Sequence, residues 1–175
     1  MKNGACSSFP IPHSSFLILH SFKMTSPLTP AEDAALVAAI RAAEVQTSGE
    51  IRVHLEDTCP TPEPLDRAAQ VFGELNMHKT AARNGVLFYL AWKSRQFAVV
   101  GDSAINAAVP DDFWEATKEA VLEQFRGEKY VLGLERGIRM VGEQLKRYFP
   151  YHAATDENEL DDAISFGGPK PSSDA

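Results

Sequence analysis

The chain has 175 residues, 44% of them hydrophobic and 23% charged, with a formal net charge of −7, which suits one globular domain with a real core. The acidic balance, with only short basic clusters on helix surfaces, lacks the electrostatic footprint of a nucleic-acid binder and makes cations the more natural partners. Cys6 and Cys59 have no CxxC companion or metal-ligand spacing to His, so no structural disulfide is expected, and no apolar run reaches the roughly 18 to 20 residues that span a bilayer.

The opening stretch, MKNGACSSFPIPHSSFLILHSFK, has its apolar part broken by Ser, Pro and His, which makes a poor secretory core. Met24 is followed at once by a helix entry, so residues 1–23 are expected to lie outside the domain as an extension upstream of the true start. A cytoplasmic location is the expectation, and export would require residues 1–23 to be a genuine signal. The domain is expected over residues 24–150.

Thr29-Pro30-Ala31-Glu32 is a capping box with Pro at the first helical position, and Leu36, Val37, Ile40 and Ala43 follow at helical spacing. The helix is expected to run to about Thr47, where Ser48-Gly49 stops it. EIRVHLE then alternates, with Ile51, Val53 and Leu55 on one face and Arg52, His54 and Glu56 on the other, as a strand does. DTCPTPEP is a Pro-rich loop. LDRAAQVFGELNM places Leu65, Ala68, Ala69, Phe72 and Leu75 on one helical face, ending near Met77.

VLFYLAW is apolar almost throughout, as in a central strand covered on both faces, and Lys93-Ser94-Arg95 turns it back into QFAVVG as an antiparallel neighbour. After a loop through Pro110, DDFWEATKEAVLEQF and YVLGLERGIRMVGEQLKRYF read as amphipathic helices broken at Arg126-Gly127. The last stretch, TDENELDDAISFGGPKPSSDA, starts acidic and ends rich in Gly, Pro and Ser, so residues 151–175 are expected to be a loosely docked tail. The order predicts an α/β fold, a three-layer α/β/α sandwich with a small mixed sheet flanked by helices.

Gly49-Glu50 opens the first of these strands, Arg83-Asn84-Gly85 the second, and Gly101-Asp102 closes the third. If the first two strands run parallel and the third returns by a hairpin, all three clusters meet at one end of the sheet. Glu50, Asn84, Asp102, Asn106, Asp111 and Asp112 would then form an oxygen-rich pocket of the kind that Ca²⁺ or Mg²⁺ takes. The plainer alternative is turn chemistry at Asn-Gly and Gly-Asp, with Asp111 or Asp112 favouring a helix N-terminus. Arg83 enters as an ion-pair partner for Glu50 or Asp102, or as a group that binds an anion. His54, His78, Ser48 and Cys59 lack the partners that a zinc site or a nucleophilic centre requires.

These segments resemble the TPM domain family. The resemblance runs from about Thr29 to Phe149, through TSGEIRVHLE, LDRAAQVF, RNGVLFYLAWKSRQFAVVGDSAINAAVPDDFW and the final helices, and it lies in their order and spacing. It implies a compact α/β sandwich, a divalent cation, often calcium, in a crevice at one sheet edge, and the acid phosphatase activity attributed to plant members. Thylakoid-lumen proteins tied to photosystem II repair are among its members. Asn84, Gly85, Gly101 and Asp111 match the family pattern, whereas Arg83 replaces an acidic residue and Asp102-Ser103 replaces a glycine-rich step. Two functions follow as expectations. One is a cation-binding or protein-docking module with a role in stress response or protein maintenance. The other is a metal-assisted phosphatase in which Asp102, Asp111 and Glu50 hold the ion and Arg83 binds phosphoryl oxygens.

Overall fold

A computed structural model describes residues 5–8, 28–152 and 160–167, with residues 5–8 described by their backbone alone. Thr29 caps the first helix, α1 (Pro30–Glu44), through the full capping box. Strand β2 (Ile51–Glu56) leads into α2 (Pro64–Glu74), and a short 3₁₀ turn follows at Met77–Lys79. Then come β3 (Val86–Ala91), β4 (Gln96–Gly101), α3 (Ser103–Ala108), α4 (Phe113–Phe125) and α5 (Tyr130–Tyr148). Two short edge strands complete the set, β1 (Ala5–Ser8) and β5 (Ser165–Phe166).

The sheet has the order β1-β4-β3-β2-β5. Strands β2 and β3 run parallel, as a crossover through α2 requires, with Ile51 opposite Val86; β3 and β4 form the antiparallel hairpin, with Val86 opposite Gly101. The beginnings of β2 and β3 and the end of β4 therefore share one end of the sheet.

Helices α1, α4 and α5 cover one face, where Leu36, Ile40, Val53, Phe88, Phe97, Phe125, Ile138 and Val141 form the main core. Helix α2 covers the other, with Ala68, Val71 and Phe72 over Leu87, Tyr89 and Ala98. In α2 it is Val71 that is buried, and Ala69 stands exposed.

Two segments that the sequence set outside the domain supply the edges. Ala5–Ser8 pairs antiparallel with β4, and β5 pairs parallel with β2 through His54 and Leu55. Residues 160–167 are anchored because Ile164 is buried in the main core and Leu160 packs over the second one. The acidic start of the tail at 155–159, its end at 168–175 and residues 9–23 lie outside the described residues. No helix among the described residues is long and apolar enough to cross a membrane.

Candidate functional site

The sheet end that gathers Asn84, Gly101 and Asp102 is built by backbone bonds before any side chain acts. The Asp102 amide donates to the Gly85 carbonyl at 2.9 Å, and the Ala104 amide donates to the Arg83 carbonyl at 3.0 Å. Arg83 holds a left-handed backbone at φ 52°, a conformation that costs a branched-out residue about 1 kcal/mol and persists only where neighbours fix it.

Across this corner Arg83 grips Asp102 with both arms of its fork, Nε to Oδ2 at 2.7 Å and Nη2 to Oδ1 at 2.9 Å. Asp102 also caps α3, accepting from the Ser103 amide at 2.7 Å. Burial works to raise the Asp102 carboxyl, but the guanidinium and the amide outweigh it and hold the group below the ordinary carboxylate range. The pair is lopsided in exposure, since the Asp102 side chain is 6% exposed and that of Arg83 is 50% exposed.

Two asparagines complete the corner. Asn84 is fully buried and its amide Nδ2 reaches the Ser48 hydroxyl at 3.3 Å, while Asn106 donates to the Gly101 carbonyl at 2.6 Å. The side-chain oxygens of both have no donor, and the buried Trp114 indole N–H and Thr117 hydroxyl of α4 also lack partners. Gly101 is required here by close approach, because a Cβ at that position would stand 2.4 Å from Cζ2 of Trp114 and 3.0 Å from the Asn106 Oδ1.

Of the remaining expected ligands, Glu50 opens β2 at the same end of the sheet, and Asp111 and Asp112 precede α4. Glu50 is buried and its carbonyl accepts from the Val86 amide at 2.8 Å, but the carboxyl that it affects is Glu44, whose proton it helps to retain. Asp111 and Asp112 are exposed at the entry to α4, where Asp112 takes the cap position without a side-chain bond. Among the described residues no three His, Cys, Asp or Glu side chains are grouped so as to hold a metal ion. At the corner the Asn84 and Asn106 side-chain oxygens stand beside Asp102, whose charge Arg83 already matches, with the buried Glu50 at the start of the adjoining strand.

A second polar cluster, on the α2 side of the sheet, escaped the sequence reading. Arg52, His54 and Glu56, expected on an open polar face, are all buried. Arg67 of α2 binds Glu56 through Nε at 3.0 Å and through Nη2, and the Tyr89 hydroxyl donates to the same carboxylate at 2.8 Å. His54 stacks on Tyr89 and meets the Ser165 hydroxyl at 2.8 Å through Nδ1. Burial presses the imidazole pKa down and outweighs the pull of Glu56, so the ring is kept neutral. The alternation that marked this strand was real, but it gave no sign that a helix carrying Arg67 would close over the polar side.

A family model described as the TPM domain matches residues 22–144. The NMR structure of the BA42 protein from the psychrophilic bacterium Bizionia argentinensis is 45% identical, with 83% of this chain and 99% of that one covered at a TM-score of 0.76. The N-terminal domain of the cg2496 protein from Corynebacterium glutamicum shares the fold at 15% identity and a TM-score of 0.57, over 75% of this chain and 88% of that one. No protein among the curated sequences compared matches it.

Proposed function

The chain belongs to the TPM domain family, and from that premise we propose that it is a non-catalytic module that docks a protein partner, with Arg83 standing where a divalent cation would otherwise sit. The observation that carries this reading is the two-armed Arg83–Asp102 pair. It neutralises Asp102, a buried carboxylate whose amide joins it to Gly85 at the start of the neighbouring strand, and it fixes those ends without an ion. Metal-assisted hydrolysis would need Asp102 free for the metal and Arg83 free for phosphoryl oxygens, and a single ion pair consumes both.

The docking half of the reading is supported next to this corner, beyond Ser48, which meets Asn84. Val45 is 67% exposed, Tyr148 37% and Tyr151 46%, and backbone bonds from Ser48 to Phe149 and from Tyr151 to Gln46 hold the segments bearing them side by side. A groove of about 350 Å³ between α1 and α5 adjoins them, lined by Ala39, Ala43, Ile138 and Gly142 with Glu135, Arg139, Glu143 and Lys146 at its rim. Aromatic residues beside a small-residue groove are the composition of a protein-binding patch. A role in stress response or protein maintenance is the proposed setting.

The test is a thermal-shift titration of the full chain with Ca²⁺, Mg²⁺, Mn²⁺ and Zn²⁺, run beside Arg83→Ala and Asp102→Ala. The natural chain is expected to give no saturable rise in Tm, and Arg83→Ala is expected to acquire one that disappears in the Arg83→Ala, Asp102→Ala double variant. A saturable rise in the natural chain that Asp102→Ala abolishes would return the site to a cation. A phosphatase activity that falls by orders of magnitude in Asp102→Ala or Arg83→Ala would overturn the non-catalytic reading.

A further inference from the structure

The groove between α1 and α5 has a direction. A Cβ on Gly142 would stand 2.8 Å from the Ala43 Cβ, Lys146 donates to Gln46 at 2.7 Å, and the Ser48 amide donates to the Phe149 carbonyl at 3.0 Å. Residue numbers rise together across these contacts, so the two helices run parallel. Between residues 34 and 43 the exposed positions of α1 are Ala34, Ala38 and Ala42, apart from Arg41, which turns to Asp162. Half-buried Ala39 and Ala43 line the groove beside them, and side chains this short let another helix come close.

Along α5 the rim of the groove carries Glu135, Arg139, Glu143 and Lys146. Their spacing sets them in one row along the helix, alternately negative and positive. Among the described residues Glu135, Arg139 and Glu143 have no ion-pair partner, and Lys146 is bonded to the neutral Gln46. A row that alternates in this way complements itself when reversed. A two-fold axis crossing α1 and α5 at right angles, level with Val141, lays each helix antiparallel on its counterpart. Arg139 then faces the second copy's Glu143, and Glu135 faces its Lys146. Ala42 is level with the same axis, because the next residue, Ala43, sits at Gly142, and it meets its own counterpart with nothing beyond Cβ. A slip of one turn in either direction sets like charges opposite each other, and a parallel two-fold lays the charged row against alanines. The reversed helices also offset the two macrodipoles that lie side by side in one copy.

We infer, on the strength of the docking role proposed above, that the partner seated on this groove is a second copy of the chain, in a two-fold dimer through α1 and α5 with Arg139 and Glu143 paired across the axis. Over the 15 residues of α1, at about 1.5 Å per residue and about 10 Å of width per helix, the face measures roughly 450 Å² in projection. Both copies together cover about twice that, close to the lower limit of about 1,000 Å² for a specific pair. The dimer is accordingly a reversible one, whose population follows concentration.

The test is sedimentation equilibrium of the full chain over a concentration series, in which the natural chain is expected to pass reversibly from monomer to dimer. Arg139→Glu makes the centre of the row wholly acidic and Glu143→Arg makes it wholly basic. Each variant then repels its own copy and is expected to need a concentration about tenfold higher, or more, to dimerise. Both positions are exposed and outside any ion pair among the described residues, so the fold of each variant is expected to survive. An equimolar mixture of the two brings an acidic centre against a basic one and is expected to recover the dimer as a hybrid. A natural chain that stays monomeric to about 1 mM, single variants that dimerise as the natural chain does, or a mixture that stays monomeric would each overturn the second copy as the occupant. The cation titration of the corner involves neither Arg139 nor Glu143, so such a failure would leave the non-catalytic docking module to stand or fall on Arg83.

Discussion

At Asp102 one carboxylate performs two tasks, capping α3 and gripping Arg83. Asp102→Asn keeps the shape and loses the charge. Because Arg83 is half exposed, the ion pair itself is screened, and the cost is expected to be about 1 to 2 kcal/mol, mostly from the weakened cap, read from urea unfolding at pH 7. The sign of its pH dependence follows from the depressed carboxyl: the stabilisation is present above the ordinary value of 3.8 and is lost as pH falls through the lower folded value. The gap between the natural chain and Asp102→Asn should accordingly close below about pH 3.8. Gly101→Ala acts differently, by driving a methyl into the Trp114 ring. With Trp114 nearly buried, a loss of about 1 to 3 kcal/mol is expected in the same assay.

Among the elements, α5 owes its seat to missing side chains. A Cβ on Gly137 would stand 2.7 Å from both Phe88 and Val121, and one on Gly133 would stand 2.6 Å from Phe125, so two turns of the helix lie directly on the sheet and on α4. Gly137→Ala is expected to cost about 1 to 3 kcal/mol in urea despite alanine's better helix propensity. Gly73 in α2 makes the control: nothing lies within 4 Å of its added methyl, and Gly73→Ala is expected to stabilise by about 0.5 to 1 kcal/mol. The long elements could be read from the sequence because each carries its own period: the capping box of α1, the alternation of β2, the apolar run of β3. Strand β5 could not, since two residues have no period and their pairing is decided by Ile164 finding the core. Helix α3 looks like loop in the sequence for a similar reason, being a single capped stretch of six residues. At the candidate site the convergence of strand ends was legible from the topology. The choice of Arg83 as the partner of Asp102 rather than Glu50 was not, because it depends on a left-handed backbone at Arg83 that no local pattern announces.

Over the whole molecule, ionisable groups with opposite displacements shape the pH response. Asp102, Glu56 and His54 sit below their ordinary values, so the stability they contribute is lost as pH falls. Glu44, raised to about 8, contributes stability that is present below 4.5 and lost as pH rises. Urea unfolding is therefore expected to show stability declining between pH 6.5 and 8, by at most about 1.4 kcal/mol per pH unit, and Glu44→Gln should flatten that decline. The pairing of Ser165 with His54 joins residues 111 apart in the chain. During synthesis, at roughly 5 to 20 residues per second, β2 leaves the ribosome several seconds or more before the strand that covers its edge. For that interval the nascent domain carries an open sheet edge, and its demand for chaperones is set by how late in translation the covering strand arrives.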